Sequence, residues 1–306
     1  MNHTFPTHDV RLHLDSLPPA PTRAPEDQPI WAAHFDRTLH ALAARTAGLV
    51  AAVARQVMEA HPAAVLVSLA RGGTPAGILL RREAARHGLT WPHHSLSITR
   101  RDGLDLQAYR EVLDEHPGRD VVFVDGWTGL GGVTRALEAS VKGARLAVLS
   151  DPAGCSTYAG TYQDVLIPHA LLGAAGCGLL SHPVAQRRGR HAAAFKPQLS
   201  GDDRTGAYLR AVSLADPLPP ERGRRPSAAA DYALLIAGLY GVSDPARLRA
   251  GVGEASRALL RRDPQELLLR QSGTPDTRHL EDEARRRSLP VYVHADLPYL
   301  ACALTA

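Results

Sequence analysis

The stretch "VVFVDGWTGLGGVTRAL", residues 121–137, joins an apolar run, an acidic residue and a glycine-rich segment. Residues 121–124 predict a buried strand, and Asp125 follows at its carboxyl end. The segment 128–132 holds three glycines directly before a helical pattern. Unpaired N–H groups and the dipole at a helix N-terminus favour a phosphate. The stretch therefore indicates an anion site beside a carboxylate that could accept hydrogen bonds from sugar hydroxyls.

A second loop of this kind lies earlier in the chain, in "SLARGGTP", residues 68–75. Residues 63–69 predict a buried strand and residues 75–86 predict a helix. Gly72 and Gly73 would let the backbone approach a ligand closely, and Arg71 adds a charged donor. The loop predicted to bind a diphosphate consists of Ala70, Arg71, Gly72, Gly73 and Thr74.

Taken together, the two loops describe a site for phosphoribosyl diphosphate. Asp125 would bind the ribose hydroxyls, and Thr128 would add a hydroxyl donor for the 5-phosphate. The residues predicted to bind the ribose 5-phosphate are Asp125, Gly126, Thr128, Gly129, Leu130, Gly131 and Gly132. Four further residues are candidates for the diphosphate or for a base, or else for a solvated turn and ordinary packing: Arg100, Arg101, Asp105 and Trp127.

Apolar segments alternate with helical patterns along most of the chain, ending with "ARLAVLS" and "QDVLIPHALLG". This alternation predicts an α/β fold with a mainly parallel sheet covered on both faces, whose ligands bind at the carboxyl ends of the strands. We expect an N-terminal extension over 1–30, with one short strand in "DVRLHL", and a ligand-binding domain over 31–213. The proline- and arginine-rich segment 214–230 predicts a linker to a smaller α/β domain over 231–306.

Composition limits the class of protein. The chain has 306 residues, 44% of them hydrophobic, and a formal charge of +4, which suits a globular protein with anionic ligands. No apolar run reaches the roughly 20 residues of a membrane helix, and the three cysteines form no CxxC pair. We expect a reduced, cytoplasmic location. The fifteen histidines show no HExxH motif and no close His/Cys cluster, so we expect them to be scattered over the surface.

The two loops resemble those of the type I phosphoribosyltransferases. The resemblance covers about residues 60–180 and implies a glycosyltransferase that displaces diphosphate at C1 of the ribose. It implies catalytic roles for Asp125, which would orient the ribose, and for Arg71, which would stabilise the leaving diphosphate. It also implies a Mg²⁺ ion bridging diphosphate and ribose oxygens. That family usually has two adjacent acidic residues after the strand, whereas Gly126 follows Asp125 here.

A more specific resemblance, over about residues 8–200, is to a divergent phosphoribosyltransferase-like family found with bacterial tellurium-resistance and stress-response genes. Its members also carry the label "cysteine protease StiP". The stretches that carry it occur in the family's order: "VSLARGGTPAGILLRR", "HHSLSITRRDGLD", "FVDGWTGLGG", "LAVLSDPAG" and "DVLIPHALLGAAGCGLLSH". Where the family commonly has Ser-Ala-Cys-Leu-Asn, this chain has residues 169–173, with Leu171 in place of the cysteine. The resemblance implies synthesis or processing of a nucleoside-like metabolite in a stress response, rather than proteolysis.

The C-terminal segment resembles RNA-binding domains of the L7Ae and Pelota type. In those domains a Gly-x-x-Glu opening at a helix start touches the RNA backbone. The resemblance implies structured RNA as a partner. The helix N-terminus and its arginines could form a phosphate surface or a solvated helix face. The residues that it points to are Gly253, Glu254, Ser256, Arg257 and Arg261.

Other interpretations of these motifs stay open at this stage. Asp125 could be only the N-cap of the following helix, since an acid before a helix needs no ligand. A non-catalytic nucleotide- or RNA-binding regulator would keep the pocket without turnover, and Gly126 in place of a second acid favours it. A cysteine hydrolase would need Cys155 or Cys177 beside a histidine in a cleft, although Cys177 lies among small residues that indicate burial.

Overall fold

The computed structural model describes residues 4–18, 29–99, 101–186 and 189–306. Its strands, in chain order, are β1 (Arg11–His13), β2 (Asp15–Leu17), β3 (Val65–Ala70), β4 (His93–Thr99), β5 (Gly103–Leu104), β6 (Val121–Trp127), β7 (Arg145–Ser150), β8 (Tyr158–Thr161), β9 (Val184–Ala185), β10 (His191–Ala194), β11 (Leu248–Ala250), β12 (Pro264–Leu269), β13 (Val291–Val293) and β14 (Ala301–Thr305). Its α-helices are α1 (Pro29–Ala60), α2 (Thr74–Arg86), α3 (Leu106–Glu115), α4 (Gly132–Ser140), α5 (Thr205–Leu214), α6 (Ala229–Gly238), α7 (Val252–Arg261) and α8 (Arg278–Arg287).

A seven-stranded sheet forms the centre of the larger domain, in the order β1–β4–β3–β6–β7–β8. Every neighbouring pair in this order is parallel, and the short β5 pairs with β4 in the antiparallel sense. The predicted mainly parallel sheet is confirmed. Because the strands run the same way, β3 and β6 end at the same edge of the sheet, and a glycine loop follows each of them.

Helices cover both faces of this sheet. Along β3, Val65 and Val67 belong to the core that α3 and α4 cover, whereas Leu66 belongs to the core under α1 and α2. On β6, Phe123 points to the first core and Val122 to the second. Successive side chains on a strand point to opposite faces, so a strand buried on both sides reads as a continuous apolar run. The apolar runs in the sequence have this origin.

The N-terminal residues belong to the fold and do not form an extension. β1 adds a parallel edge strand to the central sheet beside β4, and β2 pairs with β10 in a separate three-stranded sheet. The following segment forms one helix, α1, of 32 residues. The strand predicted in "DVRLHL" is confirmed as β1, but the assignment to an extension is wrong for residues 4–18, because their strands pair with partners far away in the chain.

The segment 163–173 contains no strand, although its sequence predicts one. The strand β8 precedes it, and residues Pro168–Leu171 form a 3₁₀ turn. Leu166 and Ile167 are fully buried, so the apolar run reflects burial alone. The N–H group of Leu166 donates to the Asp276 carboxylate at 2.7 Å, and Pro168 has no N–H group to donate to a strand ladder.

The smaller domain contains a four-stranded mixed sheet in the order β11–β14–β12–β13, together with α6, α7 and α8. The sequence predicts the three helices and the strands β12 and β13, but β11 and β14 carry no recognised pattern. β14 is buried throughout and pairs antiparallel with both β11 and β12. The smaller α/β domain is confirmed.

The two domains share a core and several polar contacts. Val252, Ala255 and Leu259 of α7 pack in the same hydrophobic cluster as Ile167 and Leu171. The buried carboxylate of Asp164 accepts hydrogen bonds from the N–H groups of Val252 at 2.9 Å and Leu300 at 2.8 Å. The helix α7 is therefore capped by a side chain of the larger domain.

The proline-rich segment between α5 and α6 lies along the larger domain. The N–H group of Leu218 donates to Ala44 O at 3.0 Å, and the N–H group of Tyr162 donates to Arg222 O at 2.8 Å. The backbone of this segment is thus bonded at two points, so it is not a free linker. In the described part of the chain, no helix has the length and apolar character needed to span a bilayer.

Candidate functional site

A cavity of about 400 Å³ lies between the two domains, at the carboxyl end of β6. The larger domain contributes Asp125, Trp127 and the glycine loop 128–132 to its wall. The smaller domain contributes residues of β11 and α7, including Arg249, Glu254 and Arg257. Cavities of roughly 300–1,000 Å³ are typical for small-molecule ligands. The site that sequence placed in one domain is therefore completed by the other.

The glycine loop ends at the N-terminus of α4, as predicted. Gly131 is the N-cap residue and has a φ of 73°, a left-handed conformation that favours glycine. A Cβ at this position would also lie 3.4 Å from the Cys155 sulfur. The N–H groups in the first turn of a helix have no acceptor within the helix, and here they border the cavity. The loop therefore offers a group of donors to an anion.

Thr128 lies in the cavity wall, but its hydroxyl group is not directed to a ligand. It donates to Asp151 Oδ1 at 2.7 Å, and the Thr128 N–H group donates to Ser150 O. The same Asp151 carboxylate accepts from the N–H group of Ser156 at 2.9 Å. The predicted donor role of the Thr128 hydroxyl is wrong, because that hydroxyl holds the adjoining loop in place.

Asp125 lies at the cavity wall and is partly buried. Its Oδ1 accepts a hydrogen bond from the Gly126 N–H group at 2.7 Å, and it does not cap α4, whose N-cap is Gly131. Burial raises the pKa of Asp125 to about 6, although the Gly126 N–H group and the charge of Arg257 both favour the ionised form. The helix-cap interpretation is thus wrong, and the carboxylate is left to face the cavity.

Trp127 joins the two domains at the cavity. The guanidinium carbon of Arg257 lies 4.3 Å from the centre of the Trp127 ring, and the indole N–H group donates to Glu254 Oε1 at 3.2 Å. A Cβ on Gly253 would lie 2.6 Å from the same ring. Trp127 is therefore a contact residue between the domains. Position 253 is a glycine because a side chain there would collide with the Trp127 ring.

The residues predicted to bind RNA do not form a common exposed surface. Gly253, Glu254 and Arg257 face the larger domain and the cavity. The Ser256 hydroxyl is buried and lies 2.6 Å from both Val252 O and His279 Nε2. Arg261 is partly buried at the end of α7. The prediction is wrong for this set, because α7 is packed against the larger domain along the face that carries the motif.

The loop predicted to bind diphosphate, residues 70–74, is buried. Arg71 is 4% exposed and donates through Nη1 to Leu180 O at 2.7 Å. The Thr74 hydroxyl bonds to Ser95 Oγ at 2.7 Å, and the Gly73 N–H group donates to Leu69 O. The Ala70–Arg71 peptide bond is cis. The role predicted for the Arg71 side chain is wrong, since this side chain is buried and bonds to a protein carbonyl group.

Arg257 separates this buried loop from the cavity. A Cβ on Gly72 would lie 2.6 Å from Arg257 Nη2 and 3.1 Å from Nη1. The guanidinium group thus lies directly over the Gly72 backbone, and the same residue lines the cavity on its other side. The positive charge that the sequence analysis assigned to Arg71 is supplied at the cavity by Arg257.

His169 is a buried residue behind the site that the sequence analysis missed. Its Nε2 lies 2.9 Å from Gly72 O, and its ring packs 5.5 Å from that of Trp127. Burial, together with the charge of Arg257, lowers the pKa of His169 to about 3, so the ring is neutral. A Cβ on Gly126 would come into van der Waals contact with this ring at 3.4 Å. The available signal was the replacement of the family's serine by histidine.

The remaining candidates follow β4 in the chain. Arg100 lies outside the described residues. Arg101 is exposed in the turn after β4 and is not in the cavity wall. The buried Asp105 carboxylate caps α3 by accepting from the Ala108 N–H group at 2.9 Å, and it also accepts from the N–H group of His191. A diphosphate role for Asp105 is therefore wrong.

The cysteines do not have the environment of a catalytic thiol. Cys155 is partly buried with its sulfur 3.2 Å from Thr134 Oγ1, and burial raises the pKa of its thiol. Cys177 is 1% exposed, and Cys302 is buried with its pKa raised by burial. A catalytic cysteine has a lowered pKa and an accessible sulfur. The cysteine-hydrolase interpretation gains no support from these positions.

Comparisons with known proteins divide the chain in two. A family model described as "Tellurite-like stress resistance cysteine protease StiP" matches residues 19–213, and one described as "PELOTA RNA binding domain" matches residues 228–306. Over 281 residues the chain is 30% identical to "Cysteine protease StiP" of Acinetobacter baylyi, which covers 81% of this chain and 73% of that protein.

One solved structure with a weak similarity is a crystal structure of an HGPRT-ase from Leishmania tarentolae in complex with GMP. The identity is 15%, the TM-score is 0.25, and the match covers 48% of this chain and 76% of the other. A TM-score this low supports no statement about ligands or chemistry in this chain. Ligands and chemistry are therefore inferred from the geometry of the cavity.

Proposed function

The chain belongs to the StiP family and has a C-terminal Pelota-type domain. From this relationship and from the cavity between the domains, we propose that it binds a ribosyl phosphate and transfers its ribosyl group. The observation that carries the proposal is the position of the Asp125 carboxylate in the same cavity as the open helix N-terminus at 131–134. A phosphate and a sugar hydroxyl of one ligand could contact the two features together.

The phosphate would bind at the glycine loop. Gly129, Gly131 and Gly132 border the cavity without side chains, and the N-terminus of α4 follows directly. Arg135 lies one turn further along the helix and lines the same cavity. Backbone donors and the helix dipole favour a dianion at this point, and an adjacent guanidinium adds charge.

The ribose and a metal ion would bind near Asp125. The family's second acid is missing from this strand, but the Glu254 carboxylate of α7 lines the same cavity and raises the pKa of Asp125 by repulsion, a smaller effect than burial. Mg²⁺ is usually held by one or two carboxylates together with phosphate oxygens. The residues present therefore fit a Mg²⁺ ion that would neutralise charge on a diphosphate.

The diphosphate would lie on the side of Arg257. In the proposed reaction the bond from C1 of the ribose to the diphosphate oxygen breaks, and a bond from C1 to an acceptor atom forms. The leaving diphosphate takes the electron pair, and Arg257 is the cation in the cavity nearest to the buried loop 70–74. Positioned charges of this kind stabilise a leaving group without a general base.

Calorimetric titration tests the proposal. We expect ribose 5-phosphate and phosphoribosyl diphosphate with Mg²⁺ each to bind once per chain. Asp125→Asn should weaken both by about 1–3 kcal/mol, the value of a charge-assisted hydrogen bond. The matched control is Asp114→Asn, because Asp114 is exposed on α3 and away from the cavity.

An assay for diphosphate release then separates catalysis from binding. Release from phosphoribosyl diphosphate, with water or an added base as acceptor, would support transfer. If a ligand binds in a way that depends on Asp125 but no diphosphate is released, the protein is a nucleotide-binding regulator and not an enzyme. If neither ligand binds, or if Asp125→Asn and Asp114→Asn behave alike, the ribosyl phosphate site is wrong.

A further inference from the structure

Three histidines from distant parts of the sequence meet at the amino end of β4. His13 lies on β1, His94 on β4, and His116 directly after α3. His13 Nε2 is 2.9 Å from His94 Nδ1, and His94 Nε2 is 2.8 Å from His116 Nε2. His13 and His94 are buried. The expectation of scattered surface histidines is wrong for these residues, whose separations of 81 and 22 positions leave no motif.

A carboxylate completes a set of metal-ligand atoms beside them. Glu115 Oε1 lies 3.9 Å from His116 Nε2, and one ligand atom each from His94, Glu115 and His116 lie within 4.8 Å of one another. Two imidazoles and a carboxylate are ligands that Zn²⁺ and similar ions prefer. With Zn–N distances of about 2.0–2.1 Å, two ligand nitrogens are about 3.3 Å apart, so the rings would separate by about half an ångström.

The residues behind His94 orient its Nε2 atom toward such an ion. His13 bonds the Nδ1 atom of His94, and His13 Nδ1 in turn lies 3.4 Å from Glu111 Oε2. If His13 donates to this carboxylate and His94 donates to His13, the lone pair of His94 Nε2 points at His116. Ligating histidines are commonly oriented by an outer hydrogen bond of this kind. The chain of contacts thus selects the tautomer that a metal ligand needs.

The other oxygen of Glu115 is already fixed. Arg11 Nη1 bonds Glu115 Oε2 at 2.5 Å, which leaves Oε1 on the side of the histidines. A cavity of about 250 Å³ adjoins the cluster and is lined in part by His94, Glu115 and His116. A water molecule could reach the ion from that cavity as a fourth ligand.

We propose that His94, Glu115 and His116 bind one divalent transition-metal ion of the zinc class, with His13 and Glu111 as positioning residues. The site lies at the amino end of the central sheet, whereas the ribosyl site lies at the carboxyl ends. The ion would join β4 to the end of α3, and so would stabilise the fold without touching the proposed substrate.

Zinc titration of the full-length, tag-free protein tests this site. The protein is first stripped with a chelator, and zinc is then titrated in competition with a chromogenic zinc chelator. We expect one Zn²⁺ per chain and a rise in the melting temperature, since an ion that binds only the folded state stabilises it. Co²⁺ in the same site should give the intense visible absorption of tetrahedral coordination.

Variants decide which residues bind the ion. His116→Gln and Glu115→Gln should each weaken zinc binding by more than about 100-fold, and Glu111→Gln by about 10-fold as expected for an outer contact. Both ligand residues are partly exposed, so the variants should remain folded by circular dichroism. The exposed His40→Gln is the matched control and should bind zinc as the natural protein does.

Two outcomes overturn the proposal. The first is a natural protein that binds no zinc in competition with the chelator. The second is a zinc affinity that both folded ligand variants retain. Neither outcome bears on the ribosyl site, because the titration uses zinc alone and the ribosyl site is tested with phosphate esters.

Discussion

The two glycine loops look alike in sequence and differ in what their glycines contact. Each follows a buried parallel strand and precedes a helix, and each was predicted to hold a phosphate group. The loop 128–132 borders the cavity between the domains, and its Gly131 has the left-handed φ of an open helix N-cap. The loop 70–74 is buried, and its side chains and the Gly73 N–H group bond to protein atoms.

A glycine in such a loop can therefore be required for close packing of protein on protein as well as for binding a ligand. Gly72 leaves room for the guanidinium group of Arg257, and Gly73 leaves room for the carbonyl oxygen of Val124. Sequence shows only that a side chain is absent. What fills the space depends on distant parts of the chain, which are the helix α7 for Gly72 and the neighbouring strand β6 for Gly73.

Gly73→Ala should have the largest effect of these substitutions on the free energy of unfolding, because Gly73 packs directly against protein atoms. Its Cβ would collide with Val124 O and lie 3.0 Å from Leu69 N, so the sheet edge must move. Overpacking of this kind costs about 3 kcal/mol of unfolding free energy. Gly132→Ala is the matched control, since among the described residues no atom beyond its chain neighbours and its own helix backbone lies within 4 Å of its Cβ, and it should be neutral or stabilising by up to about 1 kcal/mol.

Urea unfolding of both glycine variants measures these values. Equal destabilisation by the two substitutions would mean that the loops do not differ in packing. A destabilised Gly132→Ala with an unchanged Gly73→Ala would reverse the comparison.

Arg257→Met should weaken ligand binding by an intermediate amount. The substitution keeps the length of the side chain over Trp127 but removes the charge between the two loops. We expect about a tenfold loss of affinity for ribose 5-phosphate, about 1.4 kcal/mol, and a larger loss for phosphoribosyl diphosphate. Arg262→Met is the control, because Arg262 is exposed directly after the same helix.

Calorimetry of the two arginine variants reports on the role of the smaller domain. Unchanged affinity in a folded Arg257→Met protein would show that α7 only covers the site. A similar loss in Arg262→Met would indicate a general effect of charge.

Asp125 should give the protein a small dependence of stability on pH. Its pKa is raised from 3.8 to about 6 by burial, so between these values the folded protein holds a proton that the unfolded chain has released. Stability therefore falls as pH rises through this window and is flat above it. Asp125→Asn removes this contribution, so the stability of the variant relative to the natural protein should rise from pH 4 to pH 6.

The pH experiment uses the difference between two proteins because Asp164 has a similar environment. Burial also raises the pKa of Asp164 to about 6, and its contribution cancels when the two unfolding free energies are subtracted. Asp114→Asn should show no such trend. A difference that stays constant from pH 4 to pH 6 would mean that the pKa of Asp125 is not raised in the folded protein, and a difference that falls would mean that it is lowered.

Cys155→Ala should have the smallest effect on the proposed activity. The sulfur lies beside Gly131 and bonds to Thr134, but burial raises its pKa. Diphosphate release should stay within about twofold of the natural protein, because a neutral thiol contributes little to positioned charge. Loss of activity in a folded Cys155→Ala protein would instead support thiol chemistry.

The local elements of the fold could be predicted because their signals are local. The apolar runs at β3, β6 and β7 and the helices α2 and α4 follow from residue patterns within each segment. The strands β11 and β14 could not be found, since their pairing with each other and with β12 decides their conformation, whereas the strand predicted in "DVRLHL" is confirmed as β1. The run at 163–173 was mistaken for a strand because burial alone produced its apolar pattern.

Only the part of the candidate site formed by Asp125 and the loop 128–132 could be predicted from the sequence. Asp125 and the loop 128–132 lie on one continuous stretch, so their proximity follows from the chain itself. Arg257 and Glu254 reach the cavity through tertiary packing, and no spacing rule connects them to Asp125. The motif on α7 was recognised, but the face that it presents was misassigned because the helix docks against the larger domain.

The carboxylate of Asp164 has a consequence for how this protein can change through evolution. It bonds the start of α7 and the residue before β14. The segment that matches one family thus supplies the cap for the segment that matches another. The Pelota-type part is therefore not an interchangeable module. The donors are backbone N–H groups, which every residue except proline carries, so this contact depends on the side chain of Asp164, and a change at that one position of the larger domain would loosen the start of α7 in the smaller one.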